Sequence, residues 1–323
     1  MRYLLRRIGF YLVALWAAVT LNFLIPRLAP GNPAETLMAR VRGKISPQAQ
    51  HALEIAFGVN HDPLWSQYLQ YLNNLLHGNL GISITYFPTP VSVVISQELP
   101  WTLMLLGIAL VISFIIGTLL GVIVAWKRNS ALDAVFSPLF TFFSAIPYFW
   151  LALILLYMLG YLLNWFPING GYDTSTTVPE WSPDFISSAI QHGVLPAFTI
   201  VISSIAAWLL GMRNAMITTL SEDYVLMAEA KGLTQRRIML TYAARNAILP
   251  TAFALSLGFV VSGALLTEIV FSYPGVGYAL YQAVENLDYA LIQGLFLIIA
   301  IAVIGANFLA DLIYIVLDPR VRL

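Results

Sequence analysis

Histidine is the residue type of this chain best suited to binding a metal ion or moving a proton. The four histidines are His51, His61, His77 and His192. No two of them have the i, i+4 spacing that places two imidazole rings on one helix face, as in helical zinc sites. Metal ligation is the alternative, but we interpret them as surface histidines. We therefore expect no catalytic residue and no metal site.

Phosphate binding through a glycine-rich loop is not expected either. Such a loop has the pattern G-x-x-x-x-G-K-[ST], whose backbone N–H groups and lysine bind phosphate. The one Gly-Lys pair, Gly43 and Lys44, lacks the upstream glycine. Cysteine is absent, which excludes disulfides, iron–sulfur clusters and thiolate zinc sites. The sequence therefore predicts that this chain has no P-loop nucleotide site.

The segments that would position any functional side chain are mostly hydrophobic. Of the 323 residues, 59% are hydrophobic and 10% are charged, whereas soluble domains carry about 25% charged residues. The mean hydropathy is +0.79. The net charge is zero, so composition does not indicate nucleic-acid binding. We therefore expect an integral membrane protein, and its first apolar run is too long for a cleavable signal.

Six stretches reach the roughly 20 apolar residues that a helix needs to cross a bilayer. The predicted spans are about Ile8–Leu28, Trp101–Trp126, Ala134–Leu163, Val194–Met212, Thr251–Phe271 and Ala290–Leu317. The predicted fold is therefore an all-α, polytopic membrane protein. Glu268 and Asp311 lie near span ends, where solvation is expected. So few ionisable groups within the spans disfavour an ion-coupled transporter.

The placement of Lys and Arg predicts that both termini are cytoplasmic, because cytoplasmic loops are enriched in these residues. With this orientation, four of the 16 basic residues lie outside, namely Arg27, Arg40, Arg42 and Lys44. The other twelve are cytoplasmic: Arg2, Arg6, Arg7, Lys127, Arg128, Arg213, Lys231, Arg236, Arg237, Arg245, Arg320 and Arg322.

Residues 31–99 form a long external segment with two helical patterns, "SPQAQHALEIAFG" and "PLWSQYLQYLNNLLHG". This segment is either a helical subdomain packed on the outer mouth, which we favour, or a helix on the outer leaflet. A second external loop, about 164–193, is expected to be irregular. We divide the chain into residues 1–30 with helix 1, residues 31–99, and a core of residues 100–323. That core includes a cytoplasmic loop, 213–250.

The stretch from Glu222 to Pro250 is basic and amphipathic, unlike the sequence around it. Ser221 is expected to cap a first helix, and Thr234 a second helix over Gln235–Ala247. Gly232 predicts a sharp bend between them. Residue chemistry alone fits both an interfacial linker and a surface that another protein binds.

Several motifs resemble a known family. "AEAKG" at 228–232 and "RNAILP" at 245–250 resemble the EAA loop of ABC-importer membrane subunits. "GNLGIS" at 78–83, "TEIVFSYPGVG" at 267–277 and "DLIYIVLDPRVRL" at 311–323 are similar to the B-type permease of the dipeptide, oligopeptide and nickel branch. The resemblance covers the whole chain in order. Leu226 and Met227 depart from the short EAA signature, which has Glu and Ala there.

The resemblance implies a transport subunit rather than an enzyme, located in the cell inner membrane. A second homologous permease, two ATPase subunits and an extracytoplasmic substrate-binding protein are the implied partners. The ATPases would bind ATP and Mg²⁺, and this chain would hold no cofactor. Peptides are the first choice of substrate, with oligosaccharides or nickel as alternatives. The rival classes are an ion-coupled secondary transporter and a membrane scaffold that transports nothing.

The resemblance also assigns roles to individual residues. A short helix would dock in a groove of one ATPase and couple ATP binding to movement of the spans. Its residues would be Ala228, Glu229, Ala230, Lys231, Gly232, Leu233, Arg236 and Arg237. Four residues would shape the outer end of the fifth span as an outer gate: Glu268, Pro274, Gly275 and Gly277.

Overall fold

A computed structural model describes residues 2–28, 62–248 and 265–317 of the chain. Within these residues the fold is α-helical, and the β-structure is an isolated bridge between Ile82 and Pro90. The first helical pattern of the external segment, Ser46 to Gly58, lies outside the described residues. So does most of the predicted fifth span.

The helices are labelled in chain order. They are α1 (Arg2–Leu28), α2 (Leu64–Leu76), α3 (Val91–Trp126), α4 (Ala131–Ala145), α5 (Tyr148–Leu155), α6 (Pro183–Leu220), α7 (Asp223–Ala230), α8 (Gln235–Arg237), α9 (Val276–Glu285) and α10 (Tyr289–Leu317). A π-helix, Leu156–Leu162, continues α5, and a second π-helix, Ile238–Ala244, continues α8. Residues 245–248 and 265–270 are also helical.

Four helices, α1, α3, α6 and α10, are long and apolar enough to cross a membrane within the described residues. The protein is therefore a polytopic α-helical membrane protein. The predicted third span, Ala134–Leu163, differs from a single helix because it bends by 97° between α4 and α5. The bend falls at Pro147, which has no N–H to donate and holds Ile146 in an extended conformation.

The fourth span begins earlier than predicted. The expected start was near Val194, but α6 begins at Pro183. Ser182 caps α6, because its Oγ accepts a hydrogen bond from the Phe185 N–H at 3.2 Å and Pro183 occupies the first helical position. The loop before it is irregular as predicted, but it ends at Ser182 rather than at residue 193.

The irregular loop is organised by one carboxylate. Asp173 accepts hydrogen bonds from the N–H and the hydroxyl of Ser175, at 2.9 and 2.6 Å, and from the Thr176 hydroxyl at 2.9 Å. These bonds, with that of the Ser175 hydroxyl foremost, hold the pKa of Asp173 below its usual range. The loop is therefore an ordered turn that polar side chains stabilise.

The chain forms two compact units, residues 1–102 with 274–309, and residues 103–273 with 310–323. Packing defines these units, whereas the predicted segments follow position relative to the membrane. In the first unit, α1 is joined to α10 because Asn22 donates to the Gln293 carbonyl at 2.7 Å and Gln293 donates to the Asn22 carbonyl at 3.3 Å.

Asp288, at the start of α10, fixes the end of the "GNLGIS" segment within the first unit. Its buried carboxylate accepts hydrogen bonds from the Ser83 hydroxyl at 2.5 Å, from the Thr85 N–H at 2.9 Å and from the Leu291 N–H at 3.1 Å. A buried carboxylate with three donors is well satisfied. The motif is therefore a turn held against the N-terminus of a membrane helix.

In the second unit, α3 and α6 approach closely at two glycines of α3, Gly117 and Gly121. A Cβ atom at Gly117 would lie 2.6 Å from the Trp208 Cβ. A Cβ atom at Gly121 would lie 2.7 Å from both the Leu209 carbonyl oxygen and the Met212 Cβ. Small residues four apart let two membrane helices approach closely, and this contact depends on them.

We expect Gly121→Ala to destabilise the protein, because the added methyl group meets backbone as well as a side chain. Overpacking of this kind costs about 1–3 kcal/mol. Gly107→Ala on the same helix is the matched control, since nothing lies within 4 Å of a Cβ atom there. The measurement is the midpoint of thermal unfolding in detergent. Equal midpoints for the two variants would contradict the close contact.

Candidate functional site

The segment after α6 contains the two short helices that the sequence predicts. The first, α7, begins at Asp223 with Glu222 at the N-cap. The expected cap, Ser221, is not the N-cap residue. Its hydroxyl donates to the Thr218 carbonyl at 2.7 Å and so belongs to the end of α6.

The predicted bend at Gly232 is confirmed. Its φ is +72°, a left-handed conformation that favours glycine. The Gly232 N–H donates to the Glu229 carbonyl at 2.9 Å, and the Leu233 N–H donates to the Ala228 carbonyl at 3.3 Å. These two bonds form a Schellman motif, which satisfies the last carbonyl groups of α7 and turns the chain.

The second helix begins at Gln235 as predicted, with Thr234 at its N-cap, although no side-chain bond is made there. From Ile238 the helix is π rather than α. A π-helix is closed by i→i+5 hydrogen bonds, which bring residues five apart onto one side. Ile238 and Ala243 are both fully buried, and the π-helix allows both to face the protein.

Burial divides α7 into an inner and an outer face. Val225 and Ala228 are buried, at 1% and 2% exposure, and with Ile238 they form a cluster with Trp126 and Leu220 packed against it. This cluster joins α7 to the C-terminal ends of α3 and α6. A neighbouring cluster joins the π-helix to the same two ends: Val122, Ala125, Met212, Met216, Ala243 and Ala247.

The outer face of α7 is apolar and exposed. Met227 is 59% exposed, and Leu226 and Tyr224 are also exposed large hydrophobics. Of the predicted coupling residues, Ala228 faces inward and Leu233 is half-buried. The others are exposed: Glu229, Ala230, Lys231, Gly232, Arg236 and Arg237. Sequence reasoning did not include Tyr224, Leu226 and Met227, although these apolar residues stand beside charged ones in a short helix.

An ion pair that the sequence did not reveal joins α4 to α6, the helix that precedes this segment. Arg213 of α6 donates from Nε to Asp133 Oδ1 at 2.8 Å and from Nη2 to Asp133 Oδ2 at 2.9 Å. Asp133 is buried and also accepts hydrogen bonds from the Ser137 hydroxyl at 2.7 Å and the Asn129 N–H at 3.1 Å. The pair therefore fixes α4 to α6. The sequence feature that could have indicated this ion pair is Asp133, an acidic residue in the first turn of α4.

The predicted outer-gate residues divide between the two units. Glu268 belongs to the second unit and is fully buried, so the expected solvation is wrong. Pro274, Gly275 and Gly277 belong to the first unit, at the start of α9.

Two residues of α3 hold the start of α9, and sequence reasoning missed both. The Gly275 N–H donates to the Glu98 carboxylate. The Val276 N–H donates to Thr102 Oγ1 at 2.8 Å. Glu98 and Thr102 are four residues apart and so lie on one face of α3. Side chains of α3 therefore satisfy two of the N–H groups that open α9.

The histidines have ordinary local contacts. The His77 ring contacts the Asn73 carbonyl at 2.8 Å, and the His192 ring contacts the Ser188 carbonyl at 2.8 Å. His51 and His61 lie outside the described residues. Across residues 2–28, 62–248 and 265–317, no group of His, Asp and Glu is arranged to hold a metal ion.

Comparison with known proteins identifies the family to which this chain belongs. The family of binding-protein-dependent transport system inner membrane components matches residues 117–323. The chain belongs to this family, and the resemblance drawn from its motifs is confirmed. It is therefore a multi-pass permease component of a transport system.

Curated relatives are similar over nearly their full length. The oligopeptide transport system permease protein AppB of Bacillus subtilis is 34% identical over 324 residues, covering 99% of each chain. The di/tripeptide transport system permease protein DppB of Pseudomonas aeruginosa is 34% identical over 346 residues, covering 99% of this chain and 98% of the relative. The dipeptide transport system permease protein DppB of Escherichia coli K12 is 33% identical over 340 residues, covering 100% and 99%.

We expect Asp133→Asn and Arg213→Gln each to lower the free energy of unfolding, because each leaves a partly buried partner without its counter-charge. Loss of one partner of a buried ion pair costs about 3 kcal/mol, and the double variant should lose clearly less than the sum. Asp184→Asn, at an exposed position in the first turn of α6, is the control. The measurement is denaturant unfolding in detergent. Additive losses would show that the two side chains do not interact.

Proposed function

We propose that the chain is the membrane-spanning permease subunit of an ATP-driven importer for peptides, which an external binding protein delivers. The name of the family supports the dependence on a binding protein. The names of the relatives support peptides as cargo, since those proteins carry oligopeptides, di- and tripeptides or dipeptides. The structural observation that carries the proposal is the exposed outer face of α7.

The partners follow from this role. Two ATPase subunits bind ATP and Mg²⁺ and supply the energy, and this chain holds no cofactor. A second, homologous permease completes the translocation path as a heterodimer. Six spans with both termini in the cytoplasm place α7 on the same side as the ATPases, in agreement with the distribution of Lys and Arg.

The proposed coupling uses the two faces of α7 differently. The outer face, with Met227, Ala230 and Lys231, enters a groove of one ATPase. The inner face, with Val225 and Ala228, is packed on the ends of α3 and α6. When ATP binding moves the ATPases together, α7 transmits the displacement to these two helices, and the spans change between inward- and outward-facing states.

Purification of the chain with its operon partners tests the function. We expect two ATPases and a second permease to copurify, and ATP hydrolysis to be stimulated by the binding protein loaded with peptide. A nucleotide photolabel should mark the ATPases. Stimulation by an oligosaccharide or nickel instead of peptide would change the substrate. Uptake by this chain alone, driven by an ion gradient, would replace the importer with a secondary transporter.

Ala230→Glu should uncouple transport. Ala230 is exposed on α7, and a carboxylate buried without a partner at a docked interface costs about 3 kcal/mol, or roughly a hundredfold weaker docking. Peptide uptake should fall while the affinity of the binding protein for peptide is unchanged. The matched control is Ala131→Glu, exposed at the first position of α4, which should transport normally.

A lipid-facing linker gives the opposite result for the same segment. In that case Ala230→Glu has almost no effect, and neutralising Arg236 and Arg237 together disturbs insertion. Crosslinking between a cysteine at Lys231 and cysteines across the ATPase surface separates the two outcomes. Full transport by Ala230→Glu, with no crosslink at any position, would rule out docking.

The proposed orientation is tested by cysteine labelling, since the native chain has no cysteine. Asn74, Asn129 and Thr234 are exposed and therefore suitable positions. In intact cells, an impermeant thiol reagent should label a cysteine at Asn74 but not one at Asn129 or Thr234. Permeabilised cells, in which all three should react, are the control. Labelling of Asn129 and Thr234 in intact cells would overturn the orientation.

A further inference from the structure

The helix α2 is held to α1 by polar contacts along one of its sides. Three side-chain hydrogen bonds join the helices: Tyr68 to Thr20 at 2.8 Å, Asn22 to Tyr71 at 3.3 Å, and Arg27 to Gln67 at 2.9 Å. Phe23 lies edge-on to Tyr68, with ring centroids 5.1 Å apart. On α2 these contacts fall between Gln67 and Tyr71, which is little more than one turn.

The contacts on α1 set the depth at which α2 lies. Thr20, Asn22 and Phe23 belong to the apolar stretch of α1 that is able to span a membrane, Arg6–Ile25. Arg27 lies two residues beyond it, at the level where a charged end reaches the headgroups. The contacts extend over two turns of α1 but little more than one of α2. We infer that the axis of α2 crosses the axis of α1. The helix α2 then lies along the bilayer surface, with one end on each side of α1.

A second side of α2 is apolar and exposed. Trp65 is 70% exposed and Leu76 is 85% exposed, and Leu69 between them is exposed as well. Their spacing of four and seven residues places them on one face of the helix. The 13 residues of α2 include no charged side chain. Of its remaining exposed positions, Leu64 is apolar, and Gln70, Asn73 and Asn74 are neutral and polar.

We propose that α2 is an interfacial helix whose Trp65, Leu69 and Leu76 insert into the lipid leaflet at the C-terminal end of α1, the outer leaflet in the predicted orientation. The occupant of this face is therefore lipid, at the boundary between acyl chains and headgroups. Of the two arrangements that the sequence left open, this is the helix on the leaflet, tied to a membrane span by hydrogen bonds.

Depth and charge favour lipid over the other possible occupants. The end of α1 to which α2 is joined is itself apolar and exposed, since Leu21, Ile25 and Leu28 are all exposed. Tryptophan is enriched at the membrane interface, where a flat amphipathic ring is favoured. A surface that docks a water-soluble protein has to stay soluble before docking, and charged side chains normally provide that. The neutrality of α2 fits an environment of lipid.

Site-directed spin labelling tests the proposal. The full-length chain, which has no native cysteine, is reconstituted in phosphatidylcholine–phosphatidylethanolamine vesicles, alone and with its partner subunits. Single cysteines replace Trp65, Leu69 and Leu76, and matched controls replace Gln70 and Asn74, which are four residues apart on the polar side. Power saturation with oxygen and with a water-soluble nickel chelate reports the surroundings of each label.

We expect the logarithm of the ratio of oxygen accessibility to chelate accessibility to differ in sign between the two sides of α2. It should be positive for labels at Trp65, Leu69 and Leu76, and negative for labels at Gln70 and Asn74. High chelate accessibility on the apolar side would show that it faces water. Exclusion of both reagents in the complete complex, but not in the chain alone, would show that a partner protein covers it. Either result would overturn the proposal.

Discussion

The close approach of α3 and α6 at Gly117 and Gly121 is the constraint on which the rest of the second unit depends. Lipid is as apolar as a leucine side chain, so no hydrophobic driving force holds two membrane helices together. They associate through dispersion between surfaces that fit, and such surfaces require glycine where backbones meet. If α3 and α6 separated, the two clusters at their C-terminal ends would separate as well, and α7 would lose the surface on which it packs.

The Asp133–Arg213 pair extends this constraint to α4. Because both oxygens of the carboxylate bind the guanidinium, α4 has little freedom to rotate about its axis relative to α6. The ends of α3, α4 and α6 therefore form one block, and α7 is attached to it through Val225 and Ala228. Force applied to the outer face of α7, as in the proposed coupling, would therefore reach three helices at once. A helix attached by a flexible linker would dissipate the same displacement, so the proposed coupling requires the buried inner face as much as the exposed one.

The sequence was informative where the cause of a structure is local. The bend at Gly232 follows from one glycine placed after a short helix, and the loop that ends at Ser182 follows from its turn-forming residues. The orientation of α7 was not predictable, because Tyr224, Val225, Leu226 and Met227 present apolar side chains in every direction. The start of α6 was misplaced because an apolar window cannot detect a helix that extends beyond the membrane. Asp133 and Arg213 are 80 residues apart, and nothing local joins them.

The two exposed apolar helices, α2 and α7, differ in a way that bears on what each contacts. Around Met227, α7 carries Asp223, Glu229 and Lys231, so the segment stays hydrated when its apolar side chains are not docked. The helix α2 itself contains no charged residue, and it is tied to a spanning helix by hydrogen bonds. A helix that repeatedly binds and releases a soluble partner needs the first arrangement, whereas one that remains at a bilayer surface can have the second. The same apolar exposure therefore fits the proposed protein interface at α7 and the proposed lipid interface at α2.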